Sequence, residues 1–295
     1  MADAEGDQCD FSRLLSLEGF TAGQWLEARL SNRRDYMAPL EWMVAARYRL
    51  GATQPIVPRG GRCVVSGEAL DAMGWVTMHS SGAAVIARHD SLTREWVHLA
   101  KRCTGGVVHT ELLGVFGDGS GSKRGDCCIE DMGRSGFGGQ TVAGVRQGLG
   151  QGGLEVCDLA VSHTHALSYV DAAQRPLGCA SKREGCKESE HGGHVRSRGN
   201  SFTPVVFESY GALGARGMEL FQRVVGMADI QADTLEEVGR LRGALSLEHQ
   251  RRLSLALQRG NARIIIGRSR QSRDRMGLRV YAPPFSSELD FGSGT

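Results

Sequence analysis

Apolar residues along this chain fall either at helical spacing or in short continuous runs, and the two patterns mark its elements. Between 82 and 103, Val85, Ile86, His89, Leu92, Trp96, Leu99 and Cys103 fall near one face at three- and four-residue steps, which predicts a helix. Pro39 opens the run Leu40–Leu50 and Gly51 closes it, predicting the second of two helices over 22–50; Trp25, Leu26 and Leu30 stripe the first. Short apolar runs predict strands over 107–116, around Asp126, over 154–161 and over 202–209, and Pro204 points the last to an early or edge position. Residues 166–190 could be helical, but Pro176, Gly178 and Gly185 argue against one continuous helix. Residues 191–200 are polar enough to predict disorder. Apolar faces from Leu213 to Val225, Leu245 to Leu257 and Ile264 to Ile266 make the rest mainly helical.

This order predicts an α/β (α+β) fold, a small mixed sheet flanked by helices, with N-terminal helices and a helical C-terminal extension. The expected boundaries are a helical segment over 1–60, a short Cys-containing segment over 61–81, and a strand-bearing domain over 82–229. Within that domain the Gly- and Gln-rich stretch 132–153 has little to bury and reads as a flexible insertion. An Arg-rich helical extension over 230–282 and a flexible tail over 283–295 follow.

The net charge of +2 over 295 residues excludes a chain that is basic throughout. Locally the balance shifts. Of 35 basic residues 31 are Arg, whose planar fork suits phosphate; a GC-rich coding sequence is the competing cause. Between Arg240 and Arg279 eleven Arg face two acids, Glu248 and Asp274, which makes Arg251, Arg252, Arg259 and Arg263 candidates for a nucleic-acid backbone, against an ordinary solvated helix face. Eight Cys without a Cys-x-x-Cys, an acidic N-terminus and no apolar run near the roughly 18 residues of a membrane span predict a nuclear or cytoplasmic protein, neither secreted nor membrane-bound.

Two acids carry the candidate chemistry. Asp126 in Arg124-Gly125-Asp126-Cys127-Cys128-Ile129 and Asp158 in Val156-Cys157-Asp158-Leu159-Ala160 sit inside apolar runs, where an unpaired charge is costly. Brought together on neighbouring strands, two carboxylates can hold a divalent metal. The bland alternative is one strand-end Asp and one surface ion pair. Gly117 to Lys123 lacks the Gly before Lys of a phosphate loop, and no Ser has Gly at both −2 and +2. His163 and His165 could bind zinc with Asp158 or His109 as a third ligand. Cys63-Val64-Val65-Ser66-Gly67 has Ser where half a zinc knuckle needs its second thiol.

Several blocks, in order, resemble the C-terminal region of non-LTR retrotransposon reverse-transcriptase polyproteins, which carries a restriction-enzyme-like endonuclease of the PD-(D/E)xK class. Glu41–Gly51 is similar to the helix before the family's zinc knuckle, Cys63–Ser81 to the knuckle, and Arg88-His89-Asp90 to the opening of the nuclease. Arg124-Gly125-Asp126 stands at the family's Arg/Lys-Pro-Asp, Leu154–Val161 at its Asp-Val strand, Phe202–Gly211 at its next strand and Leu253–Ala262 at a closing helix, so the resemblance covers residues 22–265. It implies that Asp126 and Asp158 ligate Mg²⁺ or Mn²⁺, that Glu111 assists, and that Lys187, with Lys182 second, supplies the lysine that Ala160 does not. It implies Arg124 on the nucleic acid, DNA or an RNA–DNA intermediate as partner, and no small-molecule cofactor. The departures are Gly125 for Pro, the long interval before Asp158, a helix around Lys187 interrupted by Pro and Gly, and Ser66, Ser80 and Trp75 or Val76 at knuckle ligand positions, so Zn²⁺ is not expected. Such departures mark a decayed or domesticated copy. The expectation is a retrotransposon-derived, metal-dependent DNA endonuclease-like protein with its activity kept or lost. The alternatives are a non-catalytic nucleic-acid-binding module and a zinc hydrolase using His163 and His165.

Overall fold

Four strands lie side by side in chain order. β1 (Val108–Leu113) pairs antiparallel with β2 (Arg124–Ile129), β2 antiparallel with β3 (Glu155–Ser162), and β3 parallel with β4 (Ser201–Glu208). The protein is therefore a mixed α/β fold on a small mixed sheet, as the alternation of elements predicts. The computed structural model describes residues 2–19, 21–28, 36–116, 124–130, 132 and 153–278, with side chains from Asp10 onward except that of Arg124. The expected insertion at 132–153, but for its two end residues, and the tail over 283–295 lie outside the described residues.

Helix α1 (Ala2–Leu17) precedes α2 (Pro39–Leu50), which starts on Pro39 and stops at a left-handed Gly51. Helix α3 (Ala83–Thr104) buries Leu92, Trp96, Leu99 and Cys103 as its stripe predicts, but Ile86 faces outward. Of the two helices expected over 22–50, the first is represented among the described residues by a 3₁₀ turn, Gln24–Glu27, while 29–35 lie outside them.

The β3–β4 crossover departs most from expectation. Helix α4 (Gly178–Lys187) continues through a π-helical turn (Glu188–Gly192) into α5 (Gly193–Ser197), so residues 191–197 are helical rather than disordered. Pro176 lies before this helix and does not break it. Gly178 belongs there because the backbone passes the Ala172 carbonyl so closely that a Cβ would overlap it. Helices α6 (Ala215–Gly226) and α7 (Leu235–Arg275) complete the chain. Pro204 lies in β4, which is an edge strand of the sheet.

The chain divides into two units, Met1–Arg29 with Ile86–Gly260, and Leu30–Val85 with Asn261–Thr295. The first holds the sheet. Its alternating strands present Cys127, Ile129, Cys157, Leu159, Val205 and Phe207 to a core with Trp96, Leu220, Phe221, Leu253 and Leu257. The opposite parity, Cys128, Val156 and Phe202, packs with Phe116 and Val195. Asp126 and Asp158 share this second parity. In the second unit the 51–81 segment is held by turns and by the C-terminal part of α7. No helix among the described residues is long and apolar enough to cross a membrane.

Candidate active site

The ladder between β2 and β3 ends at Cys127↔Cys157. Carried one position further, the same register sets Asp126 opposite Asp158, beyond the last paired residues. Instead the Asp126 Oδ2 accepts the Leu159 amide at 2.6 Å, so a side chain takes the donor that the ladder leaves open. The same oxygen lies 3.2 Å from His89 Nε2 of α3. That contact, before any other influence, raises the His89 pKa above its ordinary value.

Asp158 is 8 % exposed, and Lys187 Nζ sits 2.5 Å from its Oδ2. Burial pushes the Asp158 pKa up; the Lys187 ammonium opposes this and the nearby Asp126 charge adds to it. His191 Nε2 is 3.8 Å from the same oxygen, with its ring stacked on Phe116 at 4.3 Å between centroids. Two acids from adjacent strands and a lysine from the following helix thus meet at the point where the strands part.

Helix α4 is aimed from β4. The buried Glu208 carboxylate accepts the Cys179 and Ala180 amides, both at 3.1 Å, and so satisfies two of the helix's orphan first-turn donors. This anchor lies two turns from Lys187 and fixes where its ammonium arrives.

The other expected residues are placed as follows. Lys182 donates to the Ser168 carbonyl at 2.6 Å and does not reach Asp158. Glu111 is opposite Asp126 in the β1–β2 register, at the one position that the ladder skips, with φ 51 and an exposed side chain. Gly125 is enclosed by Cys128, Val115 and Val156, which leave no room for a larger residue. His163 and His165 follow the end of β3 rather than lying on it; their rings meet Ser209 Oγ at 2.9 Å and Tyr210 Oη at 2.8 Å. The side chain of Arg124 lies outside the described residues. Arg251 pairs with Glu27, Arg252 with Glu248 and Glu95, and Arg263 with Glu41. Arg259 is half-buried. His89, His191 and Glu208 were not singled out from the sequence for these contacts. The four-residue spacing of Lys187 and His191 was the available signal, hidden by the reading of 191–200 as disordered.

The donors fit a hard cation better than zinc. Asp126 and Asp158 offer carboxylate oxygens, and Mg²⁺ commonly takes one or two carboxylates and keeps its waters. Among the described residues no three His, Cys, Asp or Glu gather into a group that could hold a metal ion of any kind, so a cation here would have two carboxylates and its own waters. The 61–81 segment does not fit zinc either. Cys63 Sγ faces Ser80 Oγ at 3.9 Å, and Arg268 brings its own cation, bonding the Thr77 carbonyl, Ser80 Oγ (2.7 Å) and the Ser80 and Ser81 carbonyls (2.8 and 2.9 Å). Burial pushes the Cys63 thiol pKa up, but hydrogen bonds from Ser66, Val65 and Ser80 outweigh it and leave it below its ordinary value. Comparison with family models, with curated proteins and with solved structures finds no match.

Proposed function

We propose that this protein is a retrotransposon-derived endonuclease-like protein with a PD-(D/E)xK-type phosphodiester site built from Asp126, Asp158 and Lys187. The observation that carries the reading is the Lys187–Asp158 contact of 2.5 Å, with Asp126 across the register. Composition gives no reason for a lysine 29 positions downstream to select that carboxylate; a site that needs two acids and an amine does. Asp126 and Asp158 would hold Mg²⁺ or Mn²⁺, which would lower the pKa of a bound water below that of bulk water, orient it and neutralise charge at phosphate. Asp126 is held in place by the Leu159 amide and by His89, so its remaining oxygen keeps a fixed direction. The Lys187 ammonium, held in a buried position, stabilises negative charge that develops beside Asp158. DNA, or an RNA–DNA intermediate, is the proposed substrate.

One observation favours a second reading, a nucleic-acid-binding module without catalysis. The Lys187 ammonium already neutralises Asp158, one of the two carboxylates that a metal would need. One experiment separates the two readings. Supercoiled plasmid is incubated with Mg²⁺ or Mn²⁺ and wild type, Asp126→Asn or Asp158→Asn. Nicking by the wild type, absent from both variants, is the expected result. Salt-sensitive binding with no nicking by any of the three leaves the binding module.

A further inference from the structure

The second unit contains a cavity of about 560 Å³ to which no role has been given. Its lining includes Pro55, Pro58, Leu70, Arg59 and Arg273, and among the described residues the ionisable groups of that lining are the two arginines. Its volume is within the roughly 300–1,000 Å³ of small-molecule sites. The walls are ordered before any ligand arrives. The Gln54 amide donates to the Ala72 carbonyl at 2.7 Å, Val57 to Gln54 at 3.0 Å, Gly61 to Pro58 at 3.1 Å and Leu70 to Gly61 at 2.9 Å. Arg273 Nε donates to the Ile56 carbonyl at 3.0 Å, which ties its guanidinium to the wall. A wall fixed by two prolines and these bonds loses little freedom on binding.

We infer that this cavity binds a nucleotide unit. The anionic phosphate lies with Arg59 and Arg273, and the flat face of the base against Pro55, Pro58 and Leu70. Two guanidinium forks and no acid select an anion. An isolated inorganic anion leaves most of the volume and the apolar wall unused, whereas an unstacked base fills an apolar slot. This inference uses none of the residues of the Asp126–Asp158 site and stands or falls apart from it.

The test is calorimetric titration of the full chain with 5′-AMP and 5′-CMP, with inorganic phosphate, and with a short acidic peptide. The expected result is saturable binding of a nucleoside monophosphate, at least tenfold tighter than phosphate or peptide, and weakened at least tenfold in Arg59→Ala. Arg59 is exposed and supports no wall contact described above, so that variant keeps its fold, which circular dichroism checks. Arg273→Lys, which keeps the charge but loses the fork, weakens binding further. Equal affinity for phosphate and nucleotide, preference for the peptide, nucleotide binding unaffected by Arg59→Ala, or no binding at all each overturns the inference.

Discussion

Lys187 and Asp158 are each nearly buried, and each is the other's compensation. Removing one partner of a buried pair leaves a stranded charge, at a cost of about 3–5 kcal/mol. Lys187→Met is therefore expected to lower the urea midpoint strongly, and adding Asp158→Asn to recover most of the loss. Plasmid nicking stays absent in both variants. Recovery of stability without recovery of nicking separates the structural part of the pair from its chemical part. His249 gives a second test at this scale. It is fully buried on α7, its ring tilted against that of His98 with centroids 5.6 Å apart, and burial lowers its pKa to about 4. Glu248, Arg102, His98 and Arg252 are the charged or titratable groups around it. The folded protein holds this imidazole neutral between pH 4 and 6.5, where the unfolded chain protonates it, so stability is lost as pH falls through that window. His249→Leu is expected to flatten the fall in Tm between pH 6.5 and pH 4.5, as thermal unfolding at several pH values would show.

At the scale of elements, α4 matters because it delivers Lys187, and its start depends on two residues that are distant or easily misread. Glu208 supplies the acceptor for its first amides, and Gly178 lets the chain pass the Ala172 carbonyl. Glu208→Ala is expected to cost about 1–3 kcal/mol, because buried donors lose their partner, and to abolish nicking with Asp126 and Asp158 intact. Glu208→Gln keeps a carbonyl acceptor and should retain most of both. The 61–81 segment makes a parallel case. Arg268 joins Thr77, Ser80 and Ser81 through one guanidinium, an arrangement in which an internal cation stands among the positions that resemble metal ligands. Arg268→Ala is expected to destabilise the second unit, and added Zn²⁺ should not restore the unfolding midpoint, since Ser66 and Ser80 offer no thiolate.

For the whole molecule, the Arg-rich C-terminal region is less open to DNA than its charge count suggests. Arg251, Arg252 and Arg263 already have carboxylate partners, and Arg268 is buried. To meet a phosphate, each ion-paired arginine must exchange an internal anion for an external one. A freely available cation contributes about 0.9 to the slope of log affinity against log salt. Arg251→Gln with Arg252→Gln is therefore expected to reduce that slope by less than about 1.8, measured by DNA binding between 50 and 200 mM salt. A full decrease would mean that the internal pairs open on binding.

What could be read locally was determined by sequence. The strands around Asp126, Asp158 and Pro204 follow from short apolar runs, and the Pro39–Gly51 helix and the Leu92–Cys103 stripe from helical spacing and short-range stop signals. The α/β class follows from their order. Tertiary structure alone decided which groups meet. The register that sets Asp126 opposite Asp158, the contact that brings the already favoured Lys187 to Asp158, and the helical state of 191–197 each rest on partners tens of residues away. Glu208 anchors α4 from the next strand, and Phe116, from before the Gly-rich stretch, stacks on His191. Glycine shows the same division. As Gly178 and Gly125 it looks like a breaker or a mismatch along the chain, and in the fold it is the residue that fits between neighbours already there. Local propensity is a property of a few adjacent residues, whereas a site is a meeting of side chains whose sequence separation leaves no periodic trace.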